Sequence, residues 1–114
     1  MRVYHVTSAK AVPLIHKHGF APTEGDGGVG VYFWDDLAYA RQYAIDGGNW
    51  GTLIRPTILA VEVDEDRLDN INPDFSMVGE TEDEDEEEDL LDRYEHTLIL
   101  RTKQHVKLPF KIVQ

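Results

Sequence analysis

Two stretches, Val3-Tyr4-His5-Val6-Thr7-Ser8 and Gly28-Val29-Gly30-Val31-Tyr32-Phe33, decide how this chain is read. Both are short runs of β-branched and aromatic residues, the composition of strands. Each also carries something that a minimal core does not need. The first holds a polar His-x-Thr, the second a Gly-x-Gly-x-Tyr. Glycines inside a strand let a second backbone or a flat ligand approach closely. A histidine on one strand and a tyrosine on the next can then line one cleft.

Working outward, Ala9 to His18 reads as a short helix. Thr7 and Ser8 are N-cap types before it, Pro13 suits its first regular turn, and Gly19 sits where a C′ glycine belongs. Residues 21–28 (Ala-Pro-Thr-Glu-Gly-Asp-Gly-Gly) read as a loop. Asp35 or Asp36 can cap a second helix over Leu37 to Ile45, in which Leu37, Ala40 and Ala44 share a face and Tyr39 and Tyr43 stand at i,i+4. Thr57 to Val63 is the strongest strand, and its apolar start predicts burial on both faces. Residues 64–93 read as a long excursion that ends in an acidic loop over about 79–93. His96 to Leu100 and Val106 to Val113 are the last two strands, with Pro109 marking an edge or a bulge. The order β-α-β-α-β, acidic loop, β-β lacks the regular crossovers of a doubly wound sheet. It predicts an α+β fold, with a small mixed or antiparallel sheet and two short helices.

At 114 residues the chain is expected to be one domain over 1–114, able to bury a core without a metal or disulfide staple. Cysteine is absent. That excludes a disulfide framework, a thiolate nucleophile and a Cys-ligated zinc, and it fits a reducing compartment. No window approaches the ~18 apolar residues of a span, and the first residues lack an apolar signal-peptide core. A cytoplasmic protein without a membrane role is expected, and a monomer.

The net charge is −11, with 17 of the 22 acidic residues between Glu62 and Glu95, where only Arg67 and Arg93 oppose them. Glu82 to Asp89 is acidic without a break. Residues 101–114 hold Arg101, Lys103, Lys107 and Lys111 and no acid. Generic binding to nucleic-acid phosphate needs a basic surface. The average charge therefore disfavours nucleic acid as partner and leaves open a local basic patch near the C-terminus. The acidic run reads first as a solvated loop. Its sharper reading is an element that meets a basic protein or mimics phosphate.

Most motifs that carry a known chemistry are absent. There is no P-loop, and Gly28-Val29-Gly30 lacks the third glycine and following helix of a dinucleotide fingerprint. His16 and His18, two apart, do not share a helical face, so no metal is expected. Neither a serine elbow nor HExxH occurs. What remains is His5, Tyr32 and Glu95. Singly, each has an ordinary reading: a strand histidine bonded to a carbonyl, a core tyrosine, a solvated carboxylate trailing the acidic run.

Together they resemble a known family. Tyr4-His5-Val6-Thr7-Ser8, Gly19-Phe20, Gly28 to Phe33, Ala38-Tyr39-Ala40-Arg41-Gln42-Tyr43-Ala44, and the tail Glu95-His96-Thr97-Leu98-Ile99-Leu100 followed by Val106 to Val113 are similar to the ADP-ribosyltransferases. The branch they resemble is the His-Tyr-Glu one shared by poly(ADP-ribose) polymerases and the diphtheria-toxin group. The likeness covers most of the chain, apart from Gly47 to Arg55 and the acidic excursion. It implies a split β-sheet core and an NAD-dependent mono-ADP-ribosyltransferase that modifies a macromolecular target, preferably a basic protein, and releases nicotinamide. His5 would hold the adenosine-side ribose of NAD. The Val6 backbone would hold the nicotinamide amide, although most relatives have glycine there. Thr7 or Ser8 would supply a hydroxyl, Tyr32 would stack on the nicotinamide, and Tyr43 would be a second aromatic wall. Glu95 would accept from the 2′-OH of the nicotinamide ribose. The family glutamate often begins its strand directly, whereas here His96-Thr97 intervenes, so Asp92 or an acid within 82–89 competes for that role. NAD would enter as substrate, with no metal.

The chemistry is coherent. Cleaving the nicotinamide–ribose bond develops positive charge on the sugar, as in glycoside hydrolysis. A carboxylate near that ribose is worth more in the transition state than in the ground state, and a clamp on both riboses places the anomeric carbon for attack. The alternatives are the same fold retaining NAD or ADP-ribose without catalysis, and an acidic inhibitor that blocks a basic partner by charge mimicry. A small acidic chain with such a core would suit a phage or bacterial conflict protein or toxin.

Overall fold

The computed structural model describes residues 1–25, 27–48, 51–71 and 95–113. In chain order the elements are β1 (Arg2–Ser8), a 3-10 turn (Ala9–Ala11), α1 (Val12–His18), β2 (Thr23–Gly25), β3 (Gly28–Trp34), α2 (Leu37–Ile45), β4 (Pro56–Glu62), a 3-10 turn (Glu65–Arg67), β5 (Leu68–Asn70), β6 (Thr97–Arg101) and β7 (Phe110–Val113). Among the described residues this is an α+β fold with one seven-stranded antiparallel sheet and two α-helices. Its strand order is β5-β6-β3-β1-β4-β7, with β2 also on β3.

The sheet divides into two halves. β1 pairs with β4 along its whole length, from Arg2↔Glu62 to Ser8↔Pro56. β3 pairs with β6 over Gly30↔Arg101 to Trp34↔Thr97. Between β1 and β3 the register is a single pair, Tyr4↔Trp34. β2 takes the far part of the same β3 edge, Gly28 to Gly30. The edge of β3 over residues 31–33 thus faces an opening between the halves.

Strand alternation sorts the side chains. Val3, Leu59, Val61, Val31, Phe33, Leu98 and Leu100 form the core on one face, where Ile15 of α1 and Phe20 close over them. The other face carries α2, whose Ala40 is fully buried. Asp36 caps α2 by accepting from the Ala38 N–H at 2.8 Å. α1 begins next to Pro13, as the missing proline donor requires. Gly19 has φ +91°, and a Cβ there would meet the Val106 carbonyl oxygen at 2.6 Å, so both backbone and space demand glycine.

Several expectations change. Residues 21–28 are not wholly loop, because Thr23–Gly25 adds to β3. The excursion from residue 64 begins with a turn and strand β5. Neither three-residue strand has room to show a period. The last strand is shorter than Val106 to Val113: Val106 forms an isolated bridge to Phe20, and β7 begins after Pro109. β6 starts at Thr97 rather than His96. The acidic loop over about 79–93, including Asp92, lies outside the described residues.

Phe33 is 1% exposed, so Phe33→Ala should destabilise by about 3–5 kcal/mol. At Gly30 a Cβ would stand 2.4 Å from the Leu100 carbonyl oxygen. Gly30→Ala should therefore push β3 from β6 and cost about 1–3 kcal/mol. Urea unfolding midpoints of the two variants against the parent check both values.

Candidate functional site

His5 sits on β1, one residue past the last bridge to β3. Its Nδ1 lies 2.9 Å from the Tyr32 backbone oxygen, an acceptor on the stretch of β3 edge that β1 leaves unpaired. A carbonyl can only accept, so the proton is on Nδ1 and Nε2 carries a lone pair. The ring lies edge-on to Phe20 and Phe33, with centroids 5.1 and 5.8 Å away. Burial among these rings pushes the His5 pKa below its ordinary value, against a smaller upward pull from the carbonyl. Among the described residues Nε2 has no hydrogen-bond partner, and no buried side-chain nitrogen is left unsatisfied. It is therefore an acceptor that reaches solvent.

Tyr32 is one residue further along the pleat than Phe33, so its side chain leaves the other side of β3. The ring lies under the β2–β3 turn, where its hydroxyl donates to the Gly28 carbonyl and accepts from the Gly27 N–H at 3.0 Å. A Cβ at Gly25 would meet the phenol at 2.9 Å, so the glycines let the turn close over the ring. Arg101 of β6 donates to the Gly27 carbonyl and to Asp69 of β5. His5 and Tyr32 thus meet through the Tyr32 carbonyl while their side chains leave opposite faces. A ligand touching both has to lie in the opening between β1 and β3 and not on one face.

Glu95 is exposed and helical rather than the first residue of a strand. Its carbonyl accepts from Asn70 Nδ2 at 2.9 Å. Tyr32 is opposite Ile99. The two residues from Ile99 back to Thr97 already span ~7 Å, and Glu95 is two residues further. Its carboxylate hydrogen-bonds neither His5 nor Tyr32. Thr97 occupies the strand-leading position, opposite Trp34. Val6 and Thr7 pair with Ile58 and Thr57 of β4, and the Ser8 hydroxyl accepts from the Ile54 N–H at 3.1 Å. Tyr43 lies against Trp34, centroids 5.7 Å apart, on the α2 face.

Sequence reasoning missed a second group. Tyr39 of α2 stacks on Trp34 at 6.0 Å and on His96 at 4.4 Å, and His96 Nδ1 lies 2.7 Å from Asp35 Oδ1. The Asp35 N–H also donates to the His96 carbonyl at 3.0 Å. The i,i+4 spacing of Tyr39 and Tyr43 was visible. That His96 joins Tyr39 depends on the β3–β6 register, which no local pattern shows. The described residues hold no group of three or more metal-ligating side chains, and no helix among them is long and apolar enough to cross a membrane.

No protein-family model, curated protein or solved structure matches this chain.

Because burial lowers the His5 pKa, protonation favours the unfolded chain. The stability His5 contributes is complete above its ordinary value near 6.5 and is lost as pH falls through the folded value, at up to ~1.4 kcal/mol per pH unit. His5→Asn, whose amide can still donate to the Tyr32 carbonyl, should flatten that part of the stability–pH curve between neutral and acidic pH. Tyr32→Phe should cost about 0.5–1.5 kcal/mol by freeing the turn. Denaturant titrations across pH measure both.

Proposed function

We propose that this chain is an NAD-dependent mono-ADP-ribosyltransferase domain of the His-Tyr-Glu kind, transferring ADP-ribose to a macromolecular acceptor with release of nicotinamide. The observation that carries the reading is the divided sheet, with the imidazole of His5 at the one point where its halves part. The edge of β3 over residues 31–33, which neither β1 nor β2 pairs, is where a nucleotide would enter in this reading. In this reading the Nε2 lone pair accepts from a ribose hydroxyl and orients the nucleotide. Tyr32 would have to leave the cover of the Gly25–Gly28 turn to offer its ring to nicotinamide. Glu95, exposed at the entry to β6, would swing toward the ribose and oppose the positive charge that develops as the glycosidic bond breaks. The acceptor's nucleophilic atom bonds to the anomeric carbon, nicotinamide leaves as a neutral group, and the acceptor's proton passes to solvent.

A second reading, an NAD- or ADP-ribose-binding module without turnover, is favoured by one observation. The strand-leading residue is Thr97, and Glu95 stands two residues before the strand.

Incubation with labelled NAD and cell extract, with nicotinamide release followed in parallel, separates the two. Glu95→Gln should lower turnover by about 10²–10³-fold with NAD affinity nearly unchanged, and His5→Ala should weaken affinity. Calorimetric binding of NAD with no turnover by the parent chain selects the module. Neither binding nor turnover removes both readings.

A further inference from the structure

The net charge of −11 conceals a division. Outside residues 62–95 the chain has nine Lys and Arg against five Asp and Glu, a net +4. The structure ties together two segments that carry part of that excess. Lys17 and His18 end α1, and Lys103, His105 and Lys107 lie on the segment between β6 and β7. The Phe20–Val106 bridge ties the two segments together, with backbone hydrogen bonds of 2.7 and 3.1 Å. Phe20 is buried, and Val106 packs against the core beside it. Alternation turns the residues flanking Val106, His105 and Lys107, outward. The Thr102 hydroxyl, bonded to both the N–H and the carbonyl of Gln104, fixes the turn that carries Lys103. All five side chains are exposed. None forms an ion pair among the described residues, and no acid occurs in residues 9–23 or 96–114.

A cation at a helix C-terminus can simply answer its dipole, which accounts for Lys17. It does not account for Lys103 and Lys107, which are on no helix. Unpaired cations on two segments locked side by side are the footprint of a polyanion site. Lys103 to Lys107 can span up to ~13 Å, room for several phosphates of one strand. Phe110 packs into the core against Phe20 and His16, so the strip offers charge and not a stacking platform.

We propose that this strip, Lys17, His18, Lys103, His105 and Lys107, is a docking surface for single-stranded nucleic acid. It is formed by the end of α1 and the β6–β7 connection. The inference concerns binding alone and requires no NAD chemistry, so failure of turnover leaves its test intact.

The test is fluorescence polarisation of the full chain with labelled ~16-nucleotide DNA and RNA single strands. Binding should weaken with salt along a log–log slope of about 2, as expected for three phosphate contacts at ~0.7 each. The triple variant Lys17→Gln, Lys103→Gln, Lys107→Gln should bind at least ~10-fold more weakly. The corresponding triple arginine variant should bind like the parent. These lysines are exposed, and an unchanged thermal midpoint shows that the variants fold. Three results overturn the proposal: no binding of either strand at low salt, equal binding by the glutamine variant, or displacement by polyglutamate as effective as by unlabelled oligonucleotide. The last would assign the strip to an acidic peptide.

Discussion

One hydrogen bond stands at the junction on which the shape of the molecule depends. The pair Tyr4↔Trp34 is the whole register between β1 and β3, and one residue further the imidazole of His5 takes the Tyr32 carbonyl. A strand carbonyl facing an opening needs a donor. A side chain supplies it here, so the strands can part without leaving an orphaned acceptor. The aromatic edges of Phe20 and Phe33 hold the ring in place, and the same burial favours its neutral form. Packing, tautomer and sheet division are thus one arrangement.

The far half of β3 is shaped by a different necessity. The turn between β2 and β3 lies directly on the Tyr32 ring, which side chains at positions 25 and 27 would forbid. Its backbone groups are satisfied by the phenol and by Arg101, which Asp69 orients. The turn therefore reports on both neighbouring strands, β5 and β6. Any ligand that takes the face of Tyr32 must compete with hydrogen bonds of about 0.5–1.5 kcal/mol each.

Charge is distributed as unevenly as the sheet. The acids concentrate in one sequence block, while the exposed lysines of α1 and of the β6–β7 connection lie on bridged segments without a counter-ion among the described residues. Salt screens exposed charges from one another beyond about 10 Å, so a partner on those segments meets local charge and not the chain average.

The amino-acid order alone determined the α+β class, α2 with an aspartate at its cap, the Gly19 stop of α1, the glycine-bearing strand and the place of β4; it did not show that the first helix starts as a 3-10 turn or that only alternate residues of β4 are buried. The features it determined follow from local rules: period, capping and backbone freedom. It also singled out His5 and Tyr32 as unusual, since a polar group and glycines inside strands are visible without any partner. Tertiary structure decided the rest. The three-residue strands β2 and β5 exist only because β3 and β6 offer edges. Glu95 falls outside its expected strand because the β3–β6 ladder begins at Thr97. Tyr39, His96 and Asp35 meet only through that register, and His5 and Tyr32 leave opposite faces because an alternation of two, once the strands are paired, admits no other outcome. Pairing partners lie tens of residues apart, and the physical forces that select them act only when the chain is folded.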